Sequence, residues 1–365
     1  MKRILTSAAA LAAAVTTANA GGVERSVQSV AILFEQGRYA ELSFGTFSPD
    51  VSGSVGPGGA LRSGDMSSTY NTASFGYKMA INDNLDFALI LDQPIGADVS
   101  YPRSSGYPLQ GTTADLSSSA ITGLMRYRFE NNVSVIGGLR AQSVKGTVNI
   151  IAPGLGLANY GLETSREMDF GYVVGIAWEK PEIAARIALT YNSAITHDLD
   201  STETGLALIP LNGSFETEVP QSVNLEFQTG IAEDTLLFGS IRWVEWSAFD
   251  ISPPIYSGPG VVGEPLVSYA SNRVTYNLGI GRRFNENWSG AITVGYEDAD
   301  GEVTGNLGPT DGFASVGLAA TYTLDKLKIT GGIRYVDIGD ATTSIGANFE
   351  GNSGVGVGIR VGYTF

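Results

Sequence analysis

Val355-Gly-Val-Gly-Ile-Arg-Val-Gly-Tyr-Thr-Phe365 alternates large apolar with small or polar side chains and stops on an aromatic ring. Successive side chains of a β-strand point to opposite faces. Val355, Val357, Ile359, Val361, Tyr363 and Phe365 therefore share one face, and the glycines, Arg360 and Thr364 share the other. The first face suits hydrocarbon and the second suits water. A strand of a soluble sandwich can alternate in the same way, and the other end of the chain separates the two readings.

Residues 1–20 begin with Lys2 and Arg3, continue through an apolar stretch from Ile4 to Val15, and place Ala18 and Ala20 around Asn19. This is the pattern of a secretory signal peptide, with cleavage expected before Gly21. The apolar stretch is too short to cross a membrane as a helix, and no later segment supplies the roughly eighteen uninterrupted apolar residues that such a helix needs. An exported chain of amphipathic strands without a membrane helix is expected to sit in the outer membrane of a Gram-negative bacterium as a multi-pass barrel.

With 47 Gly, 16 Tyr, 15 Phe and only 16% charged residues, the composition fits a barrel that is greasy outside and crowded inside. The absence of Cys removes disulfides and thiolate chemistry. A net charge of −15 leaves no basic patch to neutralise phosphates, which argues against nucleic acid. The acidic surplus is read as solvation of exposed loops.

Short polar clusters recur at even intervals: Asn82-Asp83-Asn84, Glu130-Asn131-Asn132, Glu179-Lys180-Pro181-Glu182, Ala232-Glu233-Asp234, Asn285-Glu286-Asn287 and Asp325-Lys326. Each reads as a tight hairpin turn flanked by alternating segments. Short turns on the periplasmic side and long loops outside, with an even strand number, define bacterial barrels. Six short turns and seven long loops then imply an all-β fold, a transmembrane antiparallel β-barrel of about fourteen strands. The expected strand starts are Tyr39, Ser68, Leu85, Leu116, Val133, Glu167, Ile183, Val219, Thr235, Asn272, Trp288, Phe313, Leu327 and Gly354. The chain divides into a signal peptide over 1–20, an N-terminal hatch segment over 21–38 and the barrel over 39–365.

Charges test the register. Arg126, Arg140, Arg186, Arg334 and Arg360 all fall opposite the apolar alternation, as do Asp86, Asp169, Glu226 and Glu297. A slip of one residue would turn all of them toward lipid. At roughly 2–4 kcal/mol per Arg near the midplane, five misplaced arginines would cost on the order of 10–20 kcal/mol. In the ninth strand Leu236 and Phe238 share the parity of Arg242, which leaves its facing open.

The segment 21–38 has a different period. Val23, Val27, Val30, Ala31 and Phe34 follow helical spacing, which predicts a short helix lodged in the barrel mouth as a hatch or resting on its rim.

Several strings resemble the FadL/TodX family of outer-membrane transporters for hydrophobic compounds: residues 22–37, Leu91-Asp-Gln-Pro-Ile-Gly-Ala-Asp98, Thr196-His-Asp-Leu-Asp200, Pro220-Gln-Ser-Val223, Arg242-Trp-Val-Glu-Trp-Ser-Ala-Phe249 and the closing Gly362-Tyr-Thr-Phe365. The resemblance implies a fourteen-strand barrel with an N-terminal hatch. It also implies capture of an apolar molecule at the outer surface, passage into a lumen pocket and release through a gap in the wall. Lateral release suits a greasy solute, which gains nothing by entering a wet channel. The N-terminal segment is short and lacks an Asn-Pro-Ala motif, so the family's hatch movement transfers poorly.

The third long loop holds Ile150, Ile151, Pro153, Leu155, Leu157 and Tyr160, and the fourth holds Leu206, Leu208, Ile209, Pro210 and Leu211. Exposed apolar clusters of this kind need an explanation. By the resemblance they form a capture groove; alternatively the two loops pack on one another over the mouth. Pro94 lacks a backbone donor and Gly96 a side chain, so they mark a kink that the resemblance makes the lateral gate, or an ordinary strand end. Arg140 and Arg186 are candidates to receive a carboxylate head group, and with Arg334 and Arg360 they can equally pair with Asp86, Asp169, Glu226 and Glu297 in a ladder across the lumen. Trp243, Trp246 and Phe249 fit an interfacial aromatic girdle, with a pocket role open for one tryptophan. His197, the sole histidine, lies with Asp198, Asp200 and Glu203, and no serine motif accompanies it, so catalysis is not expected.

The resulting expectation is a passive transporter of hydrophobic molecules, first of all long-chain fatty acids, with no cofactor and no metal. A general porin and a structural or adhesive surface barrel are the alternatives. Expected partners are the solute, outer-membrane lipid and lipopolysaccharide, and the barrel assembly machinery, which the terminal aromatic Phe365 resembles a signal for.

Overall fold

The computed structural model describes residues 22–103 and 105–365; the signal-peptide expectation lies outside them. Fourteen antiparallel strands close into one barrel. They are β1 (Tyr39–Asp50), β2 (Tyr70–Ala80), β3 (Leu85–Asp92 and Gly96–Ser100), β4 (Thr113–Arg128), β5 (Val133–Ala152), β6 (Leu157–Thr164 and Glu167–Lys180), β7 (Ala185–Asn192 and Ile195–Thr204), β8 (Leu211–Val219 and Ser222–Ala232), β9 (Thr235–Val244), β10 (Arg273–Arg283), β11 (Trp288–Glu297), β12 (Phe313–Leu324), β13 (Leu327–Ile338) and β14 (Asn352–Thr364). Closure comes from β1 on β14, with Tyr39 opposite Thr364 and the Phe365 N–H bonded to the Arg38 carbonyl at 2.9 Å. All six polar clusters are hairpin turns, and Asn132, Ala184, Asp234 and Asp325 take the positive φ that such tight reversals demand.

The register follows the charges. Arg126, Arg140, Arg186 and Arg334 are buried in the lumen, while Ile187, Leu189, Ile333, Val357 and Ile359 are exposed on the outer face. Tyr127, Phe129, Trp178, Phe284 and Trp288 stand outward beside the short turns, where an aromatic girdle meets the periplasmic interface. In β9, Leu236 and Phe238 are buried on the lumen side with Arg242, and Ile241 faces out. These two apolar residues pack with Ala291 inside the barrel, so an apolar residue is no reliable sign of the lipid face where the lumen has its own core.

Strands β5 to β8 outrun the bilayer. A spanning strand needs about 9–11 residues, whereas Val133–Ala152 runs for 20 residues and continues through a turn at Pro153–Leu155 straight into Leu157. The expected third loop is thus largely a hairpin, and β6 and β8 begin earlier than their predicted starts at Glu167 and Val219. Above the membrane a cluster including Phe47, Met66, Tyr101, Tyr107, Val148, Ile150, Tyr160, Tyr256 and Phe349 caps the barrel.

The N-terminal segment enters the lumen, but its helix is a single 3-10 turn, Ala31–Phe34. Gln28, at φ 54°, and the residues before it follow an irregular path. The lumen supplies the hydrogen bonds that a helix would make internally: Asn224 donates to the Val27 carbonyl at 2.8 Å, Glu226 accepts from the Val30 N–H at 3.3 Å and Arg126 donates to the Leu33 carbonyl at 3.3 Å. With its backbone satisfied by the wall, the segment has no need of helical pairing.

Candidate functional site

Upstream of Ser26 the segment becomes a strap across the lumen. Pro94 interrupts β3, and the freed backbone turns to the strap: the N–H of Arg25 donates to the Pro94 carbonyl at 2.7 Å and the N–H of Gly96 to the Val23 carbonyl at 2.7 Å. Glu24 and Ile95 form an antiparallel bridge. On the opposite side the buried Glu24 carboxylate accepts from Arg242 of β9, whose guanidinium is also held by Ser222 at 3.0 Å and Asn224 at 2.5 Å. Gly22 lies so close to the Trp246 indole that a Cβ there would come within 2.6 Å of the ring. The strap therefore ties the kink of β3 to the far wall.

The kink leaves its mark on the wall. β2 and β3 are paired only from Phe75 opposite Leu91 to Ala80 opposite Asp86, and contact resumes at Ser67 opposite Val99. Between these points Tyr70 to Ser74 face Gln93 to Ala97 without a strand ladder among the described residues; the contact across is the Gln93 side chain accepting from the Ala73 N–H at 3.3 Å. Pro94 and Gly96, the expected gate residues, are both at this break.

The strap divides the lumen. Above it lies a cavity of about 200 Å³ walled by Phe47, Met66, Leu116, Leu199, Phe215, Phe249 and Tyr269 among others. Burial, only partly offset by Arg273, pushes the Tyr269 phenol well above its ordinary range, so this loop residue adds a neutral wall. Below the strap is a cavity of about 260 Å³ reached by Arg140, Arg186, Arg334 and Arg360. Both cavities border the wall break: Tyr70, Gly96 and Ala97 line the upper, and Thr72, Ala73, Ser74 and Gln93 the lower.

The expected arginine ladder is not formed as drawn. Asp86 takes Lys78 at 2.9 Å and Arg128 at 3.4 Å, Asp169 takes His197 at 2.9 Å, Glu226 holds Ser29, and Glu297 accepts from Thr275 at 2.5 Å. Arg126 pairs instead with Glu179, and Arg360 lies 3.7 Å from Glu41. Arg140 donates to Thr122 at 3.0 Å, Arg334 bonds Ser315 and Asn277, and Arg186 stacks on Phe34 at 4.4 Å from the ring centre. None of these three has a carboxylate within 4 Å among the described residues, although Asp92 acts on Arg140 and Glu226 and Glu35 on Arg186 across the same cavity, and all three are at least nine-tenths buried.

The expected capture residues are dispersed. Ile150, Leu157 and Tyr160 are buried in the cap, Ile151 is half-buried, and Leu206 is partly buried against the same cluster. For these residues packing over the mouth describes the arrangement, because they sit on strands rather than on a free loop. Leu155 ends the connecting turn, and Leu211 is half-buried at the start of β8. Leu208 and Ile209 stand out in water as large exposed apolar side chains. Trp246 and Phe249 are buried inside, 5.7 Å apart and packed on Tyr269, rather than in a girdle. The polar cluster in β7 is split by alternation: His197 and Glu203 point inward and Asp198 and Asp200 outward. Glu203 accepts from the N–H groups of Ile255 and Tyr256 at 2.9 and 2.8 Å, which latches the 245–272 loop over the cap. Sequence reasoning missed Glu24, Arg25, Asp98 and Arg242; an adjacent Glu-Arg pair within an apolar segment was the available signal.

The family model "Outer membrane protein transport protein (OMPP1/FadL/TodX)" matches residues 35–304. Among solved structures, the fold is similar to a Pseudomonas aeruginosa FadL homologue (TM-score 0.74, 16% identity, 92% of each chain covered). It is also similar to the P. putida toluene transporter TodX (TM-score 0.67, 13% identity, 92% of each chain). A third likeness is to the Ralstonia pickettii toluene transporter TbuX (TM-score 0.63, 13% identity, 97% of each chain). No curated protein matches the sequence significantly.

Proposed function

From the premise that this chain belongs to the OMPP1/FadL/TodX family of outer-membrane transport proteins, we propose that it carries long-chain fatty acids through the outer membrane. Its coarser role, an outer-membrane channel for hydrophobic compounds and not an enzyme, is that of the family. The fatty-acid reading rests on one observation. An apolar cavity stands directly above a second cavity that contains three buried arginines with no carboxylate within 4 Å among the described residues, Asp92, Glu35 and Glu226 lying farther off along the same lining.

A guanidinium desolvated in the lumen gains from a bidentate carboxylate more than it would in water. An alkyl tail gains from leaving water at roughly 25 cal/mol per Å² of apolar surface. One amphipathic monocarboxylate satisfies both compartments, with its head near Arg140 and Arg186 and its tail above. Each cavity alone falls below the roughly 300–1,000 Å³ of common ligand pockets, so a long ligand must occupy both and pass the strap.

Capture begins at Leu208 and Ile209, the exposed apolar tip beside the cap, and release is lateral, through the unpaired stretch between β2 and β3 into the bilayer. The outer-membrane lipid is thus the receiving phase. The signal peptide over 1–20 is removed before assembly, leaving the segment from Gly21 to act as the hatch. A general porin reading is disfavoured by the strap and by the Ala31–Phe34 turn packed within the lumen.

The test is the identity of apolar molecules that copurify with the detergent-solubilised protein, read by mass spectrometry. Fatty acids at near-stoichiometric amounts are expected. Uncharged hydrocarbons alone would overturn the head-group assignment, and no ligand together with large ion conductance in planar bilayers would overturn transport by capture.

A further inference from the structure

Arg25 occupies the break in the wall. Its guanidinium is ion-paired with Asp98 of β3 and lies 4.2 Å from the centre of the Tyr70 ring of β2. These are the two strands that have lost their ladder between the Phe75–Leu91 pair and the Ser67–Val99 bridge. The same guanidinium fills the space beside Gly96, where a Cβ would come within 2.5 Å of Arg25 Cζ. The side chain is only 12% exposed and borders both cavities.

We propose that Arg25 is a bolt across the wall gap, joining β2 to β3 by side-chain contacts where backbone pairing is missing, and that its withdrawal sets the rate at which a bound solute leaves for the bilayer. The proposal rests on the lateral-release reading. Three physical points carry it. A planar guanidinium can stack on Tyr70 and hydrogen-bond Asp98 at once, which an ammonium point charge does poorly. The bolt is attached to the strap backbone, whose N–H is held by Pro94, so displacing the strap removes the bolt from the gap. An arriving carboxylate offers Arg25 a replacement for Asp98, which lets the ligand draw the bolt without leaving a buried cation unpaired.

The experiment uses the full chain in nanodiscs containing brominated phosphatidylcholine, preloaded with cis-parinaric acid. Transfer of this fluorescent fatty acid into the lipid is read as quenching. Arg25→Ala is expected to raise the transfer rate about tenfold, equivalent to about 1.4 kcal/mol at 25 °C. Arg25→Lys should fall between this variant and the wild type, because charge is kept and stacking is lost. Thr72→Trp, which fills the gap from the lumen side, is expected to slow transfer whether or not Arg25 is present. If Thr72→Trp slows transfer while Arg25→Ala matches the wild type, the bolt is overturned and lateral release stands. If Thr72→Trp leaves the rate unchanged, lateral release fails and the bolt with it. Failure of cis-parinaric acid to bind overturns both. Heat-modifiable migration reports folding, and should Arg25→Ala not assemble, Tyr70→Leu carries the test, with a several-fold faster transfer expected.

Discussion

The N–H of Gly96 in β3 donates to the carbonyl of Val23 in the lumen at 2.7 Å. In a continuous sheet that donor would bond to a neighbouring wall strand. One strand of the barrel has thus exchanged part of its wall pairing for pairing with the strap. The opening between β2 and β3 and the strap across the lumen are two sides of the same exchange. Proline begins it, since Pro94 has no donor to offer and leaves its carbonyl to Arg25 and Ser26.

Replacing Pro94 with Thr and Gly96 with Val together restores a donor and a β-branched side chain to β3. The valine also crowds the Arg25 guanidinium. Initial uptake of fatty acid should fall several-fold while heat-modifiable migration stays normal. Unchanged uptake would remove these two residues from the exit route.

Alanine at Arg140, Arg186 or Arg334 removes a buried cation from the lower cavity. A charge-assisted hydrogen bond is worth about 1.5–3 kcal/mol, so calorimetric affinity for a fatty acid should drop by about 10- to 100-fold for the arginine that holds the head group. Affinity for an uncharged alkane should not move. Normal affinity in all three variants would leave these residues purely structural.

Asp at both Leu208 and Ile209 makes the exposed tip polar without touching the cap. Half-saturation for uptake should shift to higher solute concentration with the maximal rate retained, because only first capture is weakened. A fall in maximal rate alone would place these residues outside the capture step.

Arg242→Ala removes the guanidinium that the buried Glu24 carboxylate accepts from. Breaking a buried pair by removing one partner costs about 3–5 kcal/mol. The strap should therefore loosen, which limited proteolysis near residue 25 and ion conductance would register. Glu24→Leu combined with Arg242→Met should recover most of the protection, because no charge is then left buried. Equal protease resistance in Arg242→Ala and the wild type would show that the pair does not hold the strap.

How much of this was legible beforehand differs by element. The closing strand, the six turns and the lumen-facing arginines could be read from sequence. Alternation has a period of two, and a wrong register puts charges into lipid, so these properties are decided locally and at high cost. The same reasoning failed at segment 21–38. Its helical spacing is real, yet Asn224, Glu226 and Arg126, about 90 to 200 positions away, supply its hydrogen bonds, and a 3-10 turn with an irregular path results. It also failed for Ile150, Leu157 and Tyr160, because apolar residues expected on a loop lie instead on strands that continue past the bilayer.

Pro94 and Gly96 lie between these cases. Their residue types announce an interruption of β3, but sequence could not distinguish a strand end from a break in the wall. Sequence by itself determined the barrel, its register and the sign of each face, since bilayer and water impose those on every strand separately. Tertiary structure alone decided that the broken strand would pair inward, that Glu24 would reach Arg242 and Arg25 would reach Tyr70 and Asp98. Those contacts join segments far apart in the chain, and no local pattern encodes which distant partner satisfies a freed backbone or a buried charge.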